Sequence, residues 1–162
     1  MQGFFRVGPD LRIQVIEADG AIDELEIEIN LEAIRYITLR APLASDLRLF
    51  MIGRKESHDL ERVGDEASGI AKRVIRISRV EPLQIEMEVP QMLELALKMF
   101  GDAINVFLEG DIKIAGQIVK RDRILDEFHN SAFEAHTNHI MAHSSDAVAC
   151  LECLFSSNHL KG

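Results

Sequence analysis

LERVGDEASGIAKR, residues 60–73, carries the pattern from which the fold of this chain can be argued. Its apolar residues recur at steps of three and four between Leu60 and Ile70, which is the spacing of one face of an α-helix. Glu61 and Asp65 are four residues apart, so their carboxylates fall one turn apart on that helix. The segment therefore predicts an amphipathic helix that carries an acidic pair.

The same apolar spacing continues on both sides of this segment and predicts an all-α fold. Asp10 is the expected N-cap of the preceding helix, and Pro42 is expected to end it. Sustained apolar–polar alternation, the signature of strands, is absent from the sequence. Five long helices are expected, beginning near Leu11, Ser45, Gln91, Ile112 and Ser145.

Composition limits the classes of function. The chain has 162 residues, 47% of them apolar, and a formal net charge of −9, which argues against a nucleic-acid binder and suits a protein that attracts cations or basic surfaces. No window approaches 18 uninterrupted apolar residues, so no membrane-spanning helix is expected. The first ten residues lack the apolar run of a signal peptide, and the chain has only two cysteines. These features favour a reducing cytoplasm.

The chain contains an internal repeat. A shift of 103 residues superposes the first helix on the fourth and places Asp19 and Asp23 on Asp122 and Asp126. A shift of 100 residues superposes the second helix on the fifth without gaps. Two copies of a helical module are therefore expected, the first at residues 1–80 and the second at 91–162, joined by a linker at 81–90.

The two copies are expected to be incomplete at opposite ends. The helix from Gln91 to Glu109 has no counterpart before the first copy, which therefore lacks its first helix. The second copy has Lys161 where the first has Glu61, and it stops before an acidic pair of that kind. A bundle that lacks one helix leaves apolar surface uncovered, so self-association is predicted.

The acidic pairs suggest a metal site. Asp19 and Asp23 repeat the spacing of Glu61 and Asp65 on the neighbouring helix, so four carboxylates can surround one hard cation. Sites made only of carboxylates favour Mg²⁺, Mn²⁺, Ca²⁺ or iron over a zinc site built from histidine and cysteine. A solvated acidic face is the alternative interpretation. Asp46, at a helix start, is interpreted as a cap and not as a ligand.

Two stretches resemble the PhoU family, namely PLASDLRLFMIGRKESHDLERVGDEASGIAKR (residues 42–73) and VIEADGAIDELE (residues 15–26). The resemblance implies tandem up-down three-helix bundles with acidic Glu/Asp-x-x-x-Asp motifs that bind single divalent ions or multinuclear clusters. The metal could be Fe, Mn, Mg or Zn. The ligands implied by the resemblance and the repeat are Asp19, Asp23, Glu61 and Asp65 in the first copy, and Asp122 and Asp126 in the second.

The resemblance also implies a function. Members of the family are negative regulators of phosphate uptake and of the phosphate-starvation response, and they contact the ATPase of the phosphate importer and a membrane sensor histidine kinase. A cytoplasmic, non-enzymatic, self-associating protein with at most peripheral membrane association is expected. Two alternatives stay open: a carboxylate-bridged di-metal enzyme, and a structural dimerisation module. The enzyme class uses Glu-x-x-His motifs, and none occurs in this sequence.

Other candidate ligands have structural explanations. His136, His139 and His143, with His129 one heptad earlier, are interpreted as a polar and partly frayed helix end in preference to a zinc site. Cys150 and Cys153 form a CxxC pattern, but a redox motif of this kind needs a strand-to-helix turn. They are interpreted as small buried residues of a helix.

Overall fold

The structure is a computed structural model that describes residues 9–77 and 88–161, without the side chains of residues 9–13 and 16. Within these ranges the regular secondary structure is entirely helical, which confirms the all-α prediction and its five helices. The chain divides into two compact units at the boundary between Ala71 and Lys72, here called the first and second units. The helices are α1 (Pro9–Arg40), α2 (Ala44–Ile77), α3 (Val89–Glu109), α4 (Ile112–Ala142) and α5 (Ala147–Lys161), with a 3₁₀ turn at Ser144–Asp146.

The helix starts lie within two residues of the predicted positions. α1 begins at Pro9, so Asp10 lies inside the helix and the predicted N-cap is wrong. Proline suits the first helical position because its missing N–H would have no partner there. α1 ends at Arg40, and Ala41 takes a positive φ of 42° before Pro42. Asp46 lies in the first turn of α2, where its charge suits the helix dipole.

The connection before α3 is only partly described. Residues 78–87, which include most of the predicted linker at 81–90, lie outside the described ranges. α3 has already begun at Val89, two residues before the predicted start, with Pro90 in its first turn. It ends at Glu109, and the next residue, Gly110, caps it with a φ of 74°, the left-handed conformation that glycine adopts most easily. Asp111 then caps α4 by accepting a hydrogen bond from the Lys113 backbone N–H at 2.8 Å.

The first unit is an antiparallel pair formed by α1 and the greater part of α2. Their contacts run in opposite directions along the chain, from Tyr36 against Phe50, with ring centroids 4.4 Å apart, to Asp19 against Ser68. The helices approach closely at Gly64, where an added Cβ would lie 2.9 Å from Asp19 Oδ1. Burial along this contact is shallow, and many large apolar side chains of the unit remain exposed.

The second unit is a three-helix bundle of α3, α4 and α5, joined by the last turns of α2. Met92 of α3 is fully buried, as are His136 of α4 and Cys150 of α5. Glu152 of α5 accepts hydrogen bonds from two arginines at the end of α2, Arg73 at 3.0 Å and Arg76 at 3.2 Å. These contacts hold the last turns of α2 against α5.

Matched positions of the repeat differ in burial. Ala149 of α5 is 5% exposed, whereas Leu49, its counterpart under the shift of 100, is 69% exposed. Ala132 of α4 is 3% exposed, whereas Ile29, its counterpart under the shift of 103, is 43% exposed. The second unit covers these positions with a third helix, and the described part of the first unit has two helices.

Candidate metal centre

The antiparallel packing of α1 and α2 brings Glu26, His58 and Glu61 together. His58 Nδ1 lies 3.3 Å from Glu26 Oε1 and 3.4 Å from Glu61 Oε2. One potential ligand atom from each of the three residues lies within 4.8 Å of the other two. Among residues 9–77 and 88–161, this is the one group of three His, Cys, Asp or Glu side chains found with that geometry.

The separations suit a bound metal ion. Ligand atoms at about 2.0–2.2 Å from a metal lie roughly 3.0 Å apart in an octahedral site and about 3.4 Å apart in a tetrahedral one. The two distances from His58 Nδ1 fall in that range. One ion could therefore contact the imidazole and both carboxylates at once.

The electrostatics of the cluster centre on Glu61. Its side chain is 19% exposed, and this desolvation is the largest cause of a pKa raised above the usual glutamate range. The negative charges of Asp65, Glu26 and Asp23 raise the pKa further, while His58 opposes the shift. Negative charge is therefore crowded around one carboxylate, which is the condition that a bound cation relieves.

The structure assigns different surroundings to the four ligands predicted in the first repeat. Asp23 and Asp65 are exposed and close enough to Glu61 to affect its pKa. Asp19 instead enters the contact between the helices, where its Oδ2 accepts a hydrogen bond from Ser68 Oγ at 2.8 Å. Its other oxygen, Oδ1, is buried with no hydrogen-bond partner among the described residues. No single group unites all four carboxylates in the described structure.

The second repeat has different residues at the matched positions. Lys161 corresponds to Glu61 under the shift of 100, and His129 corresponds to Glu26 under the shift of 103. Lys161 Nζ forms an ion pair with Asp126 Oδ1 at 2.9 Å, while Asp122 is exposed. An ammonium group therefore already neutralises Asp126. The metal role of Asp122 and Asp126 stays a prediction.

The ligand set predicted from the sequence does not include Glu26 and His58, although the sequence carries a signal for both. Di-metal enzymes use Glu-x-x-His, whereas His58 and Glu61 form the reverse order, His-x-x-Glu. Positions three apart on a helix share a face in either order. Glu26 follows Asp23 by three residues, so it continues the acidic pattern of α1 by one more turn.

A depression of about 390 Å³ adjoins the cluster. Glu26 and His58 line it together with Met51, Arg54 and Lys55. Arg54 Nε also donates a hydrogen bond to Asn30 Oδ1 at 2.9 Å, which fixes the guanidinium beside α1. Water and small ions can reach the ligand atoms from this side.

The remaining histidines and the cysteines have structural contacts. His136 Nδ1 lies 2.7 Å from the Ala132 carbonyl oxygen, and His139 Nε2 lies 2.8 Å from Asp146 Oδ2. The histidine end of α4 is therefore anchored, and the predicted fraying is wrong. Burial raises the pKa of both cysteine thiols, that of Cys153 to about 12, so neither thiol is readily ionised.

Comparisons with known proteins point to one family. A sequence profile of the PhoU domain matches residues 1–74 and 89–161. A protein of Aquifex aeolicus named "Phosphate-specific transport system accessory protein PhoU homolog" is 31% identical over 150 residues, which is 93% of this chain and 68% of that protein. The Zymomonas mobilis protein of the same name is 31% identical over 161 residues, which is 99% of this chain and 68% of the relative.

A solved structure is similar as well. The crystal structure of PhoU from Pseudomonas aeruginosa superposes with a TM-score of 0.88 at 30% sequence identity, over 94% of this chain and 73% of that one. The resemblance drawn from residues 15–26 and 42–73 is therefore confirmed across nearly the whole chain. None of the helices described is long and apolar enough to cross a membrane.

Proposed function

The chain belongs to the PhoU family, and from that premise we propose that it regulates phosphate-specific transport through protein contacts and not through catalysis. The regulation is negative: the protein restrains phosphate uptake and the phosphate-starvation response. Its partners are the ATPase of the phosphate importer and a sensor histidine kinase, which it meets in the cytoplasm. The curated relatives support the phosphate-transport role through their names.

One observation carries the mechanism: α1 and α2 supply Glu26, His58 and Glu61 to a single cluster. A metal ion held there would link the two helices and neutralise the charge crowded around Glu61. Asp23 and Asp65 stand at the rim, where they raise the local negative potential. Metal occupancy thus fixes the spacing of the two helices and, with it, the surface that the first unit presents to a partner.

The donor set narrows the choice of metal. Carboxylates alone suit Mg²⁺, whereas an imidazole adds affinity for first-row transition metals. We therefore propose Mn²⁺, iron or Zn²⁺ ahead of Mg²⁺. The three ligands lie on two helices, whereas di-metal bundle enzymes place their ligands on four helices. The cluster therefore favours a regulatory metal site over a catalytic one.

A binding assay tests the metal site. Protein stripped of metal with a chelator is titrated with Mn²⁺, Zn²⁺ and Mg²⁺ by calorimetry, and His58→Gln, Glu61→Gln and Glu26→Gln are compared with the wild type. Each substitution should weaken Mn²⁺ or Zn²⁺ binding by roughly 10–100-fold or more. Loss of a group that only orients a metal ligand already has an effect of about that size. His143→Gln, in the second unit, is the matched control and should bind as the wild type does. Equal metal affinity in all five proteins would contradict the proposed site.

The regulatory role is tested in cells. The chain is expressed in a bacterium that lacks its own PhoU-family gene and carries a phosphate-starvation reporter. We expect the reporter to be repressed in phosphate-rich medium, and the importer ATPase and the sensor kinase to co-purify with the chain. Wild-type chain that is abundant in the cells and leaves the reporter fully derepressed would contradict the proposal, whatever its metal content.

A further inference from the structure

The depression beside the metal cluster carries more positive than negative charge, although the whole chain has a formal net charge of −9. It is lined by Glu26, Met51, Arg54, Lys55 and His58, so two cationic side chains accompany one carboxylate. Its volume of about 390 Å³ is near the lower end of the range for small-molecule sites, roughly 300–1,000 Å³. The depression therefore suits a small anion.

Arg54 is held in place and keeps most of its hydrogen-bond donors for a ligand. Its Nε donates to Asn30 Oδ1 at 2.9 Å, which fixes the guanidinium against α1. Within residues 9–77 and 88–161 its two Nη atoms form no hydrogen bond, so four of its five N–H groups can meet an anion. Lys55, the next residue, is exposed and lines the same depression.

The spacing of these groups matches a tetrahedral oxyanion. Asn30 lies one turn after Glu26 on α1, and Arg54 lies one turn before His58 on α2. The contact of Arg54 with Asn30 is therefore about 6 Å along the helices from the contact of His58 with Glu26. One oxygen of the anion can lie about 2.0–2.2 Å from a metal ion, while another accepts a guanidinium hydrogen bond at about 2.8 Å. Such an anion spans from one contact to the other.

The charges around the depression favour an anion with two negative charges. A divalent metal ion at the cluster is balanced by the carboxylates of Glu26 and Glu61, so the charges of Arg54 and Lys55 stay uncompensated. Asp23 and Asp65 act on Glu61, and neither is among the residues that line the depression. A dianion bound between the metal and the two cations would neutralise both.

The internal repeat associates the basic pair with the metal cluster. Under the shift of 100, Arg54 and Lys55 correspond to Leu154 and Phe155 in the second repeat. In its described residues, the second repeat also has no cluster of three His, Cys, Asp or Glu side chains with metal-binding geometry. The two cations and the cluster thus occur together in one copy of the module and are missing together from the other.

We propose that the depression binds a phosphate group, free or as part of a small metabolite, which completes the coordination of the metal ion and accepts hydrogen bonds from Arg54 and Lys55. This inference rests on the proposed metal site. Three protein ligands leave part of the coordination sphere of a metal open. Because metal and phosphate each strengthen the binding of the other, a regulator of phosphate transport would detect phosphate directly at this cluster.

Calorimetry on the whole chain loaded with Mn²⁺ tests the proposal, with inorganic phosphate as the probe. We expect one phosphate per chain, bound at least about tenfold more tightly than by metal-free protein, and Mn²⁺ affinity should rise by the same factor when phosphate is present. A titration without protein corrects for the association of Mn²⁺ with phosphate in solution.

Substitution of the two cations separates phosphate binding from metal binding. Arg54→Gln should weaken phosphate binding about tenfold, because charge-assisted hydrogen bonds are lost. Lys55→Gln should have a smaller effect, since a flexible lysine acts as a point charge. Neither substitution should lower Mn²⁺ affinity measured without phosphate. Arg123→Gln and Lys120→Gln, at exposed positions of α4, are the matched controls and should bind phosphate as the wild type does.

Two further probes identify the chemistry of the ligand. Glycerol phosphate carries the same dianionic group on a small organic molecule, and tighter binding of this compound than of inorganic phosphate would assign the site to a phosphate ester. Sulfate has the shape and charge of the phosphate dianion, but its oxygens are less basic and should bind the metal more weakly. Sulfate bound as tightly as phosphate would overturn the assignment to phosphate.

Three results would overturn the proposal: no phosphate binding by the Mn²⁺-loaded chain, equal binding with and without metal, or binding that Arg54→Gln leaves unchanged. A chain that binds Mn²⁺ through the cluster and represses the phosphate-starvation reporter, yet does not bind phosphate, contradicts only the phosphate site. A chain that does not bind Mn²⁺ contradicts the proposed metal site and the phosphate site together.

Discussion

At the scale of single residues, Glu61 shows a conflict between stability and binding. Desolvation and the charges of Asp65 and Glu26 raise its pKa, which means that the ionised carboxylate is less favourable in the folded chain than in the unfolded one. A group whose pKa is raised on folding supports stability at pH values below its unfolded pKa, and this support is lost as pH rises through the folded value. At neutral pH the metal-free site is therefore under electrostatic strain.

This strain predicts that Glu61→Gln raises the thermal midpoint of metal-free protein at pH 7. The gain should shrink as pH falls through the range where glutamates titrate, because the wild-type carboxyl then becomes neutral too. The same variant should lose the stabilisation that Mn²⁺ gives the wild type. Thermal denaturation from pH 4 to 8, with and without chelator, measures both effects. Glu127→Gln, at an exposed position of α4, is the control and should show neither.

A second prediction at this scale concerns Gly64. An added Cβ would lie 2.9 Å from Asp19 Oδ1 and 3.2 Å from Ile22 Cδ1, and Asp19 is held in place by Ser68. Gly64→Ala should therefore cost about 1 kcal/mol of unfolding free energy, although alanine is the better helix former. Gly53→Ala meets nothing within 4 Å and should instead gain roughly 0.5–1 kcal/mol. Urea denaturation of the two variants compares them directly, and equal gains would show that α1 can shift away.

At the scale of helices, the contact between α5 and the end of α2 is made by Glu152. Both of its carboxylate oxygens are bonded, one to Arg73 and one to Arg76, and the side chain is only 14% exposed. Arg73 also stacks over the ring of Phe155, with its guanidinium carbon 4.5 Å from the ring centroid. Charge, hydrogen bonding and aromatic contact thus fix the last turns of α2 together.

Glu152→Gln should destabilise the chain by about 2 kcal/mol, because it leaves the largely buried Arg73, and with it the more exposed Arg76, without a countercharge. Glu32→Gln removes a largely exposed pair with Arg35 and should change the unfolding free energy by less than about 0.5 kcal/mol. Urea denaturation of the two variants measures both changes in unfolding free energy. Similar losses for the two variants would mean that the α2–α5 contact rests on apolar packing alone.

At the scale of the whole molecule, the two repeats share a helical pattern and differ in charge. The first gathers Glu26, His58 and Glu61, while the second holds Asp126 with Lys161. A built-in ammonium thus supplies in the second repeat the neutralisation that we propose a metal ion supplies in the first. One metal per chain is therefore expected, bound in the first unit.

Elemental analysis checks this count. Asp122→Asn/Asp126→Asn should leave the metal content of the purified protein unchanged, and Glu61→Gln should reduce it. Lys161→Glu removes the ammonium and adds a carboxylate, so it should allow a second ion to bind at high metal concentration. Loss of metal from the Asp122→Asn/Asp126→Asn variant would instead establish the second repeat as a metal site, as its acidic spacing predicts.

Much of the fold could be predicted because helix formation is a local property. Apolar steps of three and four between Leu60 and Ile70 identify α2 without knowledge of any neighbour. Helix ends are harder to predict than helices. Pro9 and Asp10 are both acceptable at the start of α1, and the sequence favours Asp10 as the cap, whereas the helix begins at Pro9. The family could also be recognised from the sequence: the resemblance of residues 42–73 to the PhoU family agrees with relatives that are about 30% identical over most of the chain.

The site depended on the tertiary structure. Helical periodicity alone implies that Glu61 and Asp65 lie one turn apart and that Asp19 and Asp23 repeat their spacing. It did not determine the register of α1 against α2, which is set by contacts such as Tyr36 on Phe50 and the close approach at Gly64. That register turns Asp19 into the packing and brings Glu26 to His58. Helical periodicity arises within one segment, whereas the meeting of two side chains depends on how both helices pack.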